Sequence, residues 1–373
     1  MRYRLDGLLH DAMIMPRNAG PGIVARIKVL ASLRLDEKRL PQDGRFKMDM
    51  NGQKVSFRVS ILPTYYGEKV VMRLLPENSR ALSLEESGFH GEALERVHKA
   101  MRRTTGMLLV TGPTGSGKTT TLYTIMEIIN TPDVNISTIE DPIEYQMPRI
   151  NQTQVKPEIG LTFANGLRSL VRQDPDIIMV GEIRDNETAS LAINAALTGH
   201  VVLSTLHTNS AAGTIPRLLD MEAEPFLLVS TINAIIAQRL VRRLDQGSEK
   251  YQLSPAELKK LGEMVDLERV LKLLKEEKIA PDTANWSDIS FYKPKTASGE
   301  GGENSDGYHG RLSINEVMTV SATIKDLVMQ GATDAKIEEQ AKKEGMSTML
   351  EDGVFKAAQG LTTIEEVLRV VSE

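Results

Sequence analysis

Short apolar runs separated by turn-forming residues characterise the first 80 residues of the chain. Polar and apolar positions alternate within these runs, as expected of strands with one buried face. The runs lie at 3–9, 44–50, 55–62 and 69–75. After the first run, Ile23, Ile27 and Leu30 recur at helical spacing. Lys28 falls off that apolar face, and the pattern predicts a helix at 22–33 in a small α+β domain.

From residue 107 the pattern changes to unbroken apolar runs separated by segments with helical periodicity. The runs lie at 107–111, 136–140, 177–180 and 201–206. Apolar runs of this length are typical of strands buried on both faces. Their alternation with helices predicts a parallel sheet covered by helices.

The last third of the chain is more charged and mostly helical in its periodicity. An amphipathic helix is expected around 267–274, and three short helical segments at 324–329, 335–343 and 364–371. The polar, Gly-rich run between them contains too few apolar groups to bury and is expected to be a disordered loop.

These patterns divide the chain into five parts. They are the small α+β domain at 1–80, a linker at 81–88, the α/β domain at 89–245, a subdomain at 246–310 that includes the disordered loop 295–310, and a helical C-terminal subdomain at 311–373. The first ten residues lack the apolar stretch of a signal peptide, so we expect the sequence to begin inside a domain.

Composition disfavours several classes of protein. The 373 residues include 45 basic and 50 acidic side chains, a net charge of -5, and only 4% aromatics, so nucleic acid is not expected as a partner. No cysteine is present, which excludes disulfides and thiolate metal sites and permits a reducing cytoplasm. The most apolar window, 226–237, is too short to span a membrane, so any membrane association is expected to be peripheral.

One motif predicts phosphate binding. Residues 112–119 match G-x-x-x-x-G-K-[ST] between an apolar run and a helical segment. Glycines allow backbone N–H groups to surround an anion, Lys118 reaches the β- and γ-phosphates, and the hydroxyl of Thr119 ligates Mg²⁺. The predicted nucleotide-binding residues are Gly112, Pro113, Thr114, Gly115, Ser116, Gly117, Lys118, Thr119 and Thr120.

Carboxylates and histidines follow the neighbouring apolar runs. Glu182 ends the run 176–182, where a contact to Mg²⁺ is needed, and the run is similar to a Walker B strand. Glu140, Asp141 and Glu144 close another run, and spacing alone does not choose which of them activates the attacking water.

His200 and His207 flank the run at 201–206. Two histidines without a third ligand do not make a metal site. His207, at the carboxyl end, is placed to sense a γ-phosphate, whereas His200 is expected to orient a neighbour.

Together these segments resemble the type II secretion and type IV pilus assembly ATPases, a family of hexameric P-loop motors at the cytoplasmic side of the membrane. Four ordered motifs are similar to the family's Walker A, acidic, Walker B and histidine boxes. They lie at 111–121, 139–144, 174–185 and 198–208. The resemblance implies a RecA-like core, a small PAS-like N-terminal domain, ATP and Mg²⁺ as cofactors, a homo-hexamer, and an inner-membrane platform protein as partner.

The resemblance also implies roles for single residues. Glu144 is then the general base, Glu182 assists Mg²⁺, and His207 contacts the phosphate end of the nucleotide. The N-terminal part matches as well, and its Arg58 and Arg73 then reach the site of the neighbouring subunit. Each lies in a strand-like run, where a buried arginine requires an anionic partner.

Two departures from the family pattern change the expectations. Larger members carry a further N-terminal domain, and this sequence starts after it. Secretion and extension members also place a four-cysteine zinc site after the segment that matches 238–244, whereas this sequence has no cysteine, so no zinc is expected.

The expected function is ATP hydrolysis that drives type IV pilus assembly, and type II secretion is the alternative because both share these motifs. A non-hydrolysing, nucleotide-dependent ring and a DNA-translocating ATPase are further alternatives. Intact Glu144, Glu182, Arg58 and Arg73 argue against the first of these. The acidic charge balance argues against the second.

Overall fold

The computed structural model describes residues 1–50, 53–76, 82–245, 248–295, 297–298 and 304–372. The chain divides into two compact units. The first comprises residues 1–80 with 144–146, and the second comprises 81–143 with 147–373.

The first unit contains a hairpin, one helix and a three-stranded antiparallel sheet. Its elements are β1 (Arg2–Leu5), β2 (Leu8–Asp11), α1 (Gly20–Leu30), β3 (Gln42–Met50), β4 (Gln53–Thr64) and β5 (Gly67–Pro76), with the sheet order β3-β4-β5. The predicted run 3–9 was wrong as a single strand. Asp6 and Gly7 adopt positive φ values of 45° and 94°, which turn the chain and pair β1 with β2.

The predicted helix is present, but its buried face is turned by one residue. Ile23 is 37% exposed, whereas Lys28 is only 1% exposed. The Lys28 ammonium lies 2.6 Å from Glu68 Oε1 and donates to the carbonyl of Glu37 at 2.7 Å. Because both contacts satisfy the charge, the long side chain can pack inward, a contact that helical periodicity does not reveal.

The second unit is built on a seven-stranded sheet, and two small two-stranded sheets, β12-β13 and β14-β15, accompany it. The strands of the unit are β6 (Gly106–Thr111), β7 (Ile136–Glu140), β8 (Ile150–Gln154), β9 (Ile177–Val180), β10 (Val201–Leu206), β11 (Ile232–Leu244), β12 (Glu249–Tyr251), β13 (Phe291–Lys293), β14 (Ala297–Ser298), β15 (Asn304–Ser305) and β16 (Tyr308–Thr319). The large sheet has the order β16-β11-β6-β10-β9-β7-β8. All neighbouring pairs in it are parallel except β11 and β16, so the predicted parallel sheet is confirmed.

Twelve α-helices accompany these strands within the described part of the second unit. They are α2 (Gly91–Met101), α3 (Lys118–Ile129), α4 (Phe163–Leu170), α5 (Asn186–Leu197), α6 (Thr214–Asp220), α7 (Pro225–Thr231), α8 (Pro255–Gly262), α9 (Leu267–Glu276), α10 (Ala322–Met329), α11 (Asp334–Lys343), α12 (Met349–Ala358) and α13 (Ile364–Ser372). The helices predicted after residue 107 are confirmed, and α12 was missed. Glu351, Asp352 and Lys356 of α12 are all buried, so its inner face is not apolar in sequence.

Sequence analysis also missed the two long strands β11 and β16. The apolar window 226–237 is in fact α7 without its first residue, followed by the start of β11. β16 begins inside the expected loop 295–310 and continues into the subdomain that we expected to be helical. Polar residues buried in these strands, such as Gln238 and Glu316, hide the strand pattern.

Two expected connecting segments remain. Residues 296 and 299–303 of the expected loop lie outside the described residues, and β14 pairs with β15 on either side of that gap. In the expected linker, Leu84 is 1% exposed, and the carbonyl of Ser87 accepts from the N–H of Ser313 at 3.0 Å. The described part of that segment is therefore packed into the second unit.

Candidate functional site

The glycine-rich loop connects β6, whose six residues are buried, to α3. Gly112, Gly115 and Gly117 have φ values of 148°, 82° and 88°, a region that only glycine adopts readily. A Cβ atom on Gly112 would lie 2.6 Å from the carbonyl oxygen of Gln238 and 2.6 Å from Ser116 Oγ. The loop therefore lies so close to β11 that this position requires glycine.

Lys118 is held inside the loop by neutral groups. It is 8% exposed, and its ammonium donates to the carbonyls of Gly112 at 2.8 Å and Pro113 at 3.0 Å. Burial lowers the pKa of Lys118 to about 8; the Glu182 carboxylate opposes this shift and the Arg239 guanidinium adds to it. An incoming polyanion would gain a desolvated, unpaired positive charge.

The start of α3 completes an anion-binding cradle. Thr119 and Thr120 are exposed in its first turn, where backbone N–H groups and the helix dipole favour negative charge. The buried hydroxyl of Ser116 has no hydrogen-bond partner within the described part of the chain. The residues present therefore fit a polyphosphate with Mg²⁺ held at Thr119.

Gln238 supports the loop from β11 and was missed as a site residue. It is 1% exposed; its Nε2 donates to the carbonyl of Ser116 at 2.7 Å, and its Oε1 accepts from the Thr121 hydroxyl at 2.8 Å. One side chain thus ties the loop and the first turns of α3 to the sheet. The only sequence signal for this role was the presence of a polar residue, Gln238, within an apolar run.

Glu182 and His207 meet at the carboxyl edge of the sheet, because β9 and β10 are parallel neighbours. His207 Nε2 lies 3.5 Å from Glu182 Oε2, and Arg184 Nη2 lies 2.5 Å from Glu182 Oε1. Burial and the nearby Lys118 charge lower the pKa of His207 below its usual value. The imidazole is therefore neutral at pH 7 and can donate a hydrogen bond without carrying charge.

His200 lies away from this edge. Its Nδ1 is 2.9 Å from the carbonyl oxygen of Ala195, to which it donates at the end of α5.

At the other end of β10, Thr208 connects to β6 through its hydroxyl, 2.7 Å from Thr111 Oγ1, and through its backbone N–H. The segment after His207 is thus tied to the strand that carries the phosphate loop.

The three candidate bases are in different environments. Glu140 is 1% exposed and accepts hydrogen bonds from the hydroxyls of Tyr123 and Thr138. Asp141 is exposed. Glu144 belongs to the first unit, where its Oε1 lies 3.7 Å from Arg73 Nη1.

Three arginines of the first unit form a row across its sheet. Arg45 pairs with Arg58 across β3 and β4, and Arg58 pairs with Arg73 across β4 and β5, so all three lie on one face. Each of them is exposed, which corrects the expectation of buried arginines. Like charges directly opposite each other destabilise a sheet. The row therefore forms a concentrated positive patch, and Arg45 is a member that sequence analysis missed.

The comparisons with known proteins agree with the motifs. The model of the family described as type II/IV secretion system protein matches residues 1–369. The chain belongs to this family. It is 49% identical to type II secretion system protein E of Xanthomonas campestris, over all of this chain and 62% of that protein. It is 46% identical to the type IV pilus assembly ATPase PilB of Myxococcus xanthus, over 99% of this chain and 62% of PilB.

The chain thus spans about three fifths of the length of these two relatives. Among solved structures, it is similar to the pilus retraction motor PilT with bound ADP. Identity is 27%, the TM-score is 0.63, and the match covers 99% of this chain and 89% of the PilT chain. The Legionella pneumophila ATPase DotB, at 20% identity and a TM-score of 0.65, shares the fold. The family resemblance of the motifs is confirmed.

Two further properties concern the described residues alone. Among them, no helix is both long enough and apolar enough to cross a membrane. Nor does that part of the chain bring three or more His, Asp or Glu side chains together to hold a metal ion. The absence of zinc stays a prediction, since residues 246–247, 296 and 299–303 of the corresponding subdomain lie outside the description.

Proposed function

We propose that this chain binds and hydrolyses ATP as the motor of a type IV pilus assembly machine. The observation that supports it most directly is the buried Lys118, whose ammonium is held by loop carbonyls and forms no ion pair within the described residues. A lysine in that state favours a bound polyphosphate. Names of relatives include both pilus assembly and type II secretion proteins, so type II secretion is the alternative use of the same motor.

In this proposal the phosphate loop and α3 bind the triphosphate. Lys118 contacts the β- and γ-phosphates; Thr119 would hold Mg²⁺ directly, and Glu182 would contact it through water. When bound, Mg²⁺ neutralises charge on the phosphate oxygens. His207 is neutral and donates a hydrogen bond to the phosphate end of the nucleotide. We also propose that the sheet of the second unit is RecA-like and that the first unit is PAS-like.

Glu144 deprotonates the attacking water in this proposal. Glu140 is engaged in the interior by two hydroxyl groups, which favours the remaining acids of the segment. Glu144 is less enclosed than Glu140, and its carboxylate oxygen Oε1 lies 3.7 Å from Arg73 Nη1.

Arg58 and Arg73 complete the site of a neighbouring subunit in a homo-hexamer. Their positive face attracts an anion, and an arginine supplied in trans is worth about 10³ to 10⁵ in rate in other phosphoryl-transfer enzymes. The motor works at the cytoplasmic face of the inner membrane, on a platform protein of the pilus or secretion machine, and without nucleic acid.

The test is the ATPase activity per subunit, measured over a range of protein concentrations, for the native chain and for Glu144→Gln. We expect activity that rises with concentration, and a turnover about 100-fold or more lower in the variant with nucleotide still bound. Glu127→Gln, the same substitution at an exposed position on α3, is the matched control. Undiminished turnover in Glu144→Gln would contradict the role of Glu144 as the general base. A native protein that binds ATP without turnover would favour the alternative of a non-hydrolysing, nucleotide-dependent ring.

A further inference from the structure

The segment that follows His207 is held in place by charged residues from β11 and β16. Ala211 and Ala212, which belong to this segment, are fully buried. The guanidinium of Arg239 donates to Asn209 Oδ1 at 3.2 Å, and Glu316 Oε1 accepts from the backbone N–H of Ala211 at 2.5 Å. Residues 209–211 are therefore tied to two strands that carry none of the four sequence motifs.

Glu316 is an unusual residue for this place. It is 4% exposed in the middle of β16, opposite Ala237 of β11. The backbone N–H of Met349, at the start of α12, is close enough to lower the pKa of its carboxyl group. A carboxylate has two acceptor oxygens, whereas an amide has one oxygen only.

Burying this carboxylate has an energetic cost. The pKa of Glu316 is raised to about 7, chiefly by burial and also by the Glu338 carboxylate of α11, while the backbone N–H groups of Ala211 and Met349 and the Arg239 guanidinium of β11 act in the opposite direction. A neutral acceptor would satisfy Ala211 at a smaller desolvation cost. The retained carboxylate is therefore more than a filler of the core.

We propose that Glu316 is a positioning residue for His207. Its carboxyl group fixes the backbone of residues 209–211, and this keeps the His207 imidazole beside Glu182. The inference rests on the proposed role of His207 at the phosphate end of the nucleotide. It also connects the site to the first turn of α12.

Amide hydrogen exchange of residues 208–213 tests the anchoring directly, and it does not require turnover. Glu316→Ala removes the acceptor, and we expect protection of this segment to fall about tenfold or more. Glu316→Gln keeps one acceptor oxygen and should give a smaller loss. Glu351→Gln is the matched control, because Glu351 is equally buried on α12 and accepts from the Thr348 N–H.

The pH dependence separates positioning by a carboxylate from simple packing. Glu316 has a pKa of about 7 when the segment is closed and near 4.5 when water reaches it. Opening the segment therefore releases a proton at any pH between these two values. Protection should fall by up to about tenfold per pH unit as the pH rises from about 5 to about 7, and should stay level above pH 7. Glu316→Gln should lack this dependence.

The catalytic consequence is measured on the same variants. We expect turnover to fall in Glu316→Ala and partly recover in Glu316→Gln, with the affinity for a fluorescent ATP analogue nearly unchanged. Unchanged protection in Glu316→Ala overturns the anchoring. Reduced protection with undiminished turnover overturns the positioning of His207. A native protein without turnover refutes the proposed function instead, while the exchange result still decides whether Glu316 orders the segment.

Discussion

The described part of the second unit buries two lysines, one at the phosphate loop and one among the C-terminal helices, and the two have different partners. Lys356 is 1% exposed, lies 2.5 Å from Asp352 Oδ2 and donates to the carbonyl of Ser313 at 2.7 Å. Asp352 also lies 2.6 Å from His90 Nε2. Lys118 is 8% exposed and is held by loop carbonyls alone among the described contacts.

The difference separates a charge that holds the fold from one that awaits a ligand. Burial by itself raises the pKa of Asp352, but Lys356 and His90 bring it below its usual value, so the aspartate stays ionised and paired. Burial lowers the pKa of Lys356 as well. At Lys118 the Glu182 charge opposes burial only in part, no ion pair is formed within the described residues, and the pKa falls to about 8. A paired buried charge stabilises a contact, whereas an unpaired one stores binding energy for an anion.

The largest expected effect comes from breaking the paired site. Lys356→Met leaves Asp352 buried and uncompensated, so we expect a loss of about 3 to 5 kcal/mol in the free energy of unfolding, measured by urea denaturation. The double variant with Asp352→Asn should recover much of this loss. A decrease below about 1 kcal/mol would show that the ion pair contributes little.

The same substitution at the unpaired site should act on binding instead. Lys118→Met removes charge-assisted hydrogen bonds to the phosphates, so we expect nucleotide affinity to fall about 30-fold or more. Because the unpaired ammonium is itself desolvated, the free energy of unfolding should stay level or rise. Titration calorimetry and urea denaturation of one preparation measure both. Destabilisation as large as in Lys356→Met would refute the contrast.

The lowered pKa of Lys118 sharpens the contrast through pH. Above a pH of about 8, Lys118 of the nucleotide-free protein loses its proton, and binding a polyphosphate must restore that proton. Nucleotide affinity should therefore fall by up to about tenfold per pH unit above 8. In Lys118→Arg, whose guanidinium stays charged, affinity should be level over this range. Equal pH profiles for the two proteins would contradict the shift.

The titration of Lys118 also changes the free energy of unfolding with pH, in a defined direction. The folded pKa of about 8 is below the ordinary 10.5, so the unfolded chain binds more protons between these values. The contribution of Lys118 to stability therefore rises with pH from 8 to 10.5. The difference between native and Lys118→Met in the free energy of unfolding should change in that direction.

The smallest expected effect concerns the support of the loop. Gln238→Ala removes both amide contacts, so nucleotide affinity should weaken about tenfold, and Thr121→Val should weaken it less because it removes one. A double-mutant cycle between Gln238 and Thr121 should give a coupling of about 1 kcal/mol. Additive effects would show that the amide does not transmit the position of α3 to the loop.

Sequence reasoning succeeded for the family and for four of the parallel strands, whose runs are mostly apolar, and it predicts the phosphate loop from glycines, a lysine and a hydroxyl in fixed order. It failed where a polar residue is buried by a distant partner. Gln238 bonds to Ser116, 122 residues away, and Glu316 bonds to Ala211, 105 residues away.

Lys28 shows the same limit within one helix. Its polarity placed it on the outer face, although Glu68 and the Glu37 carbonyl allow it to be buried. Helical periodicity assigns each residue by its own hydropathy, and a buried ion pair inverts that assignment.

The sequence by itself therefore determined the family and the parallel core of the sheet, and it predicted the residues of the phosphate loop, because each of these is written in local order or local hydropathy. The tertiary structure alone decided that β11 and β16 extend the sheet, that Gln238 and Glu316 bond to the backbone of Ser116 and Ala211, and that Lys118 forms no ion pair among the described residues. The physical reason is that burial of a polar group is permitted only by its partners, and those partners become neighbours only when the chain folds.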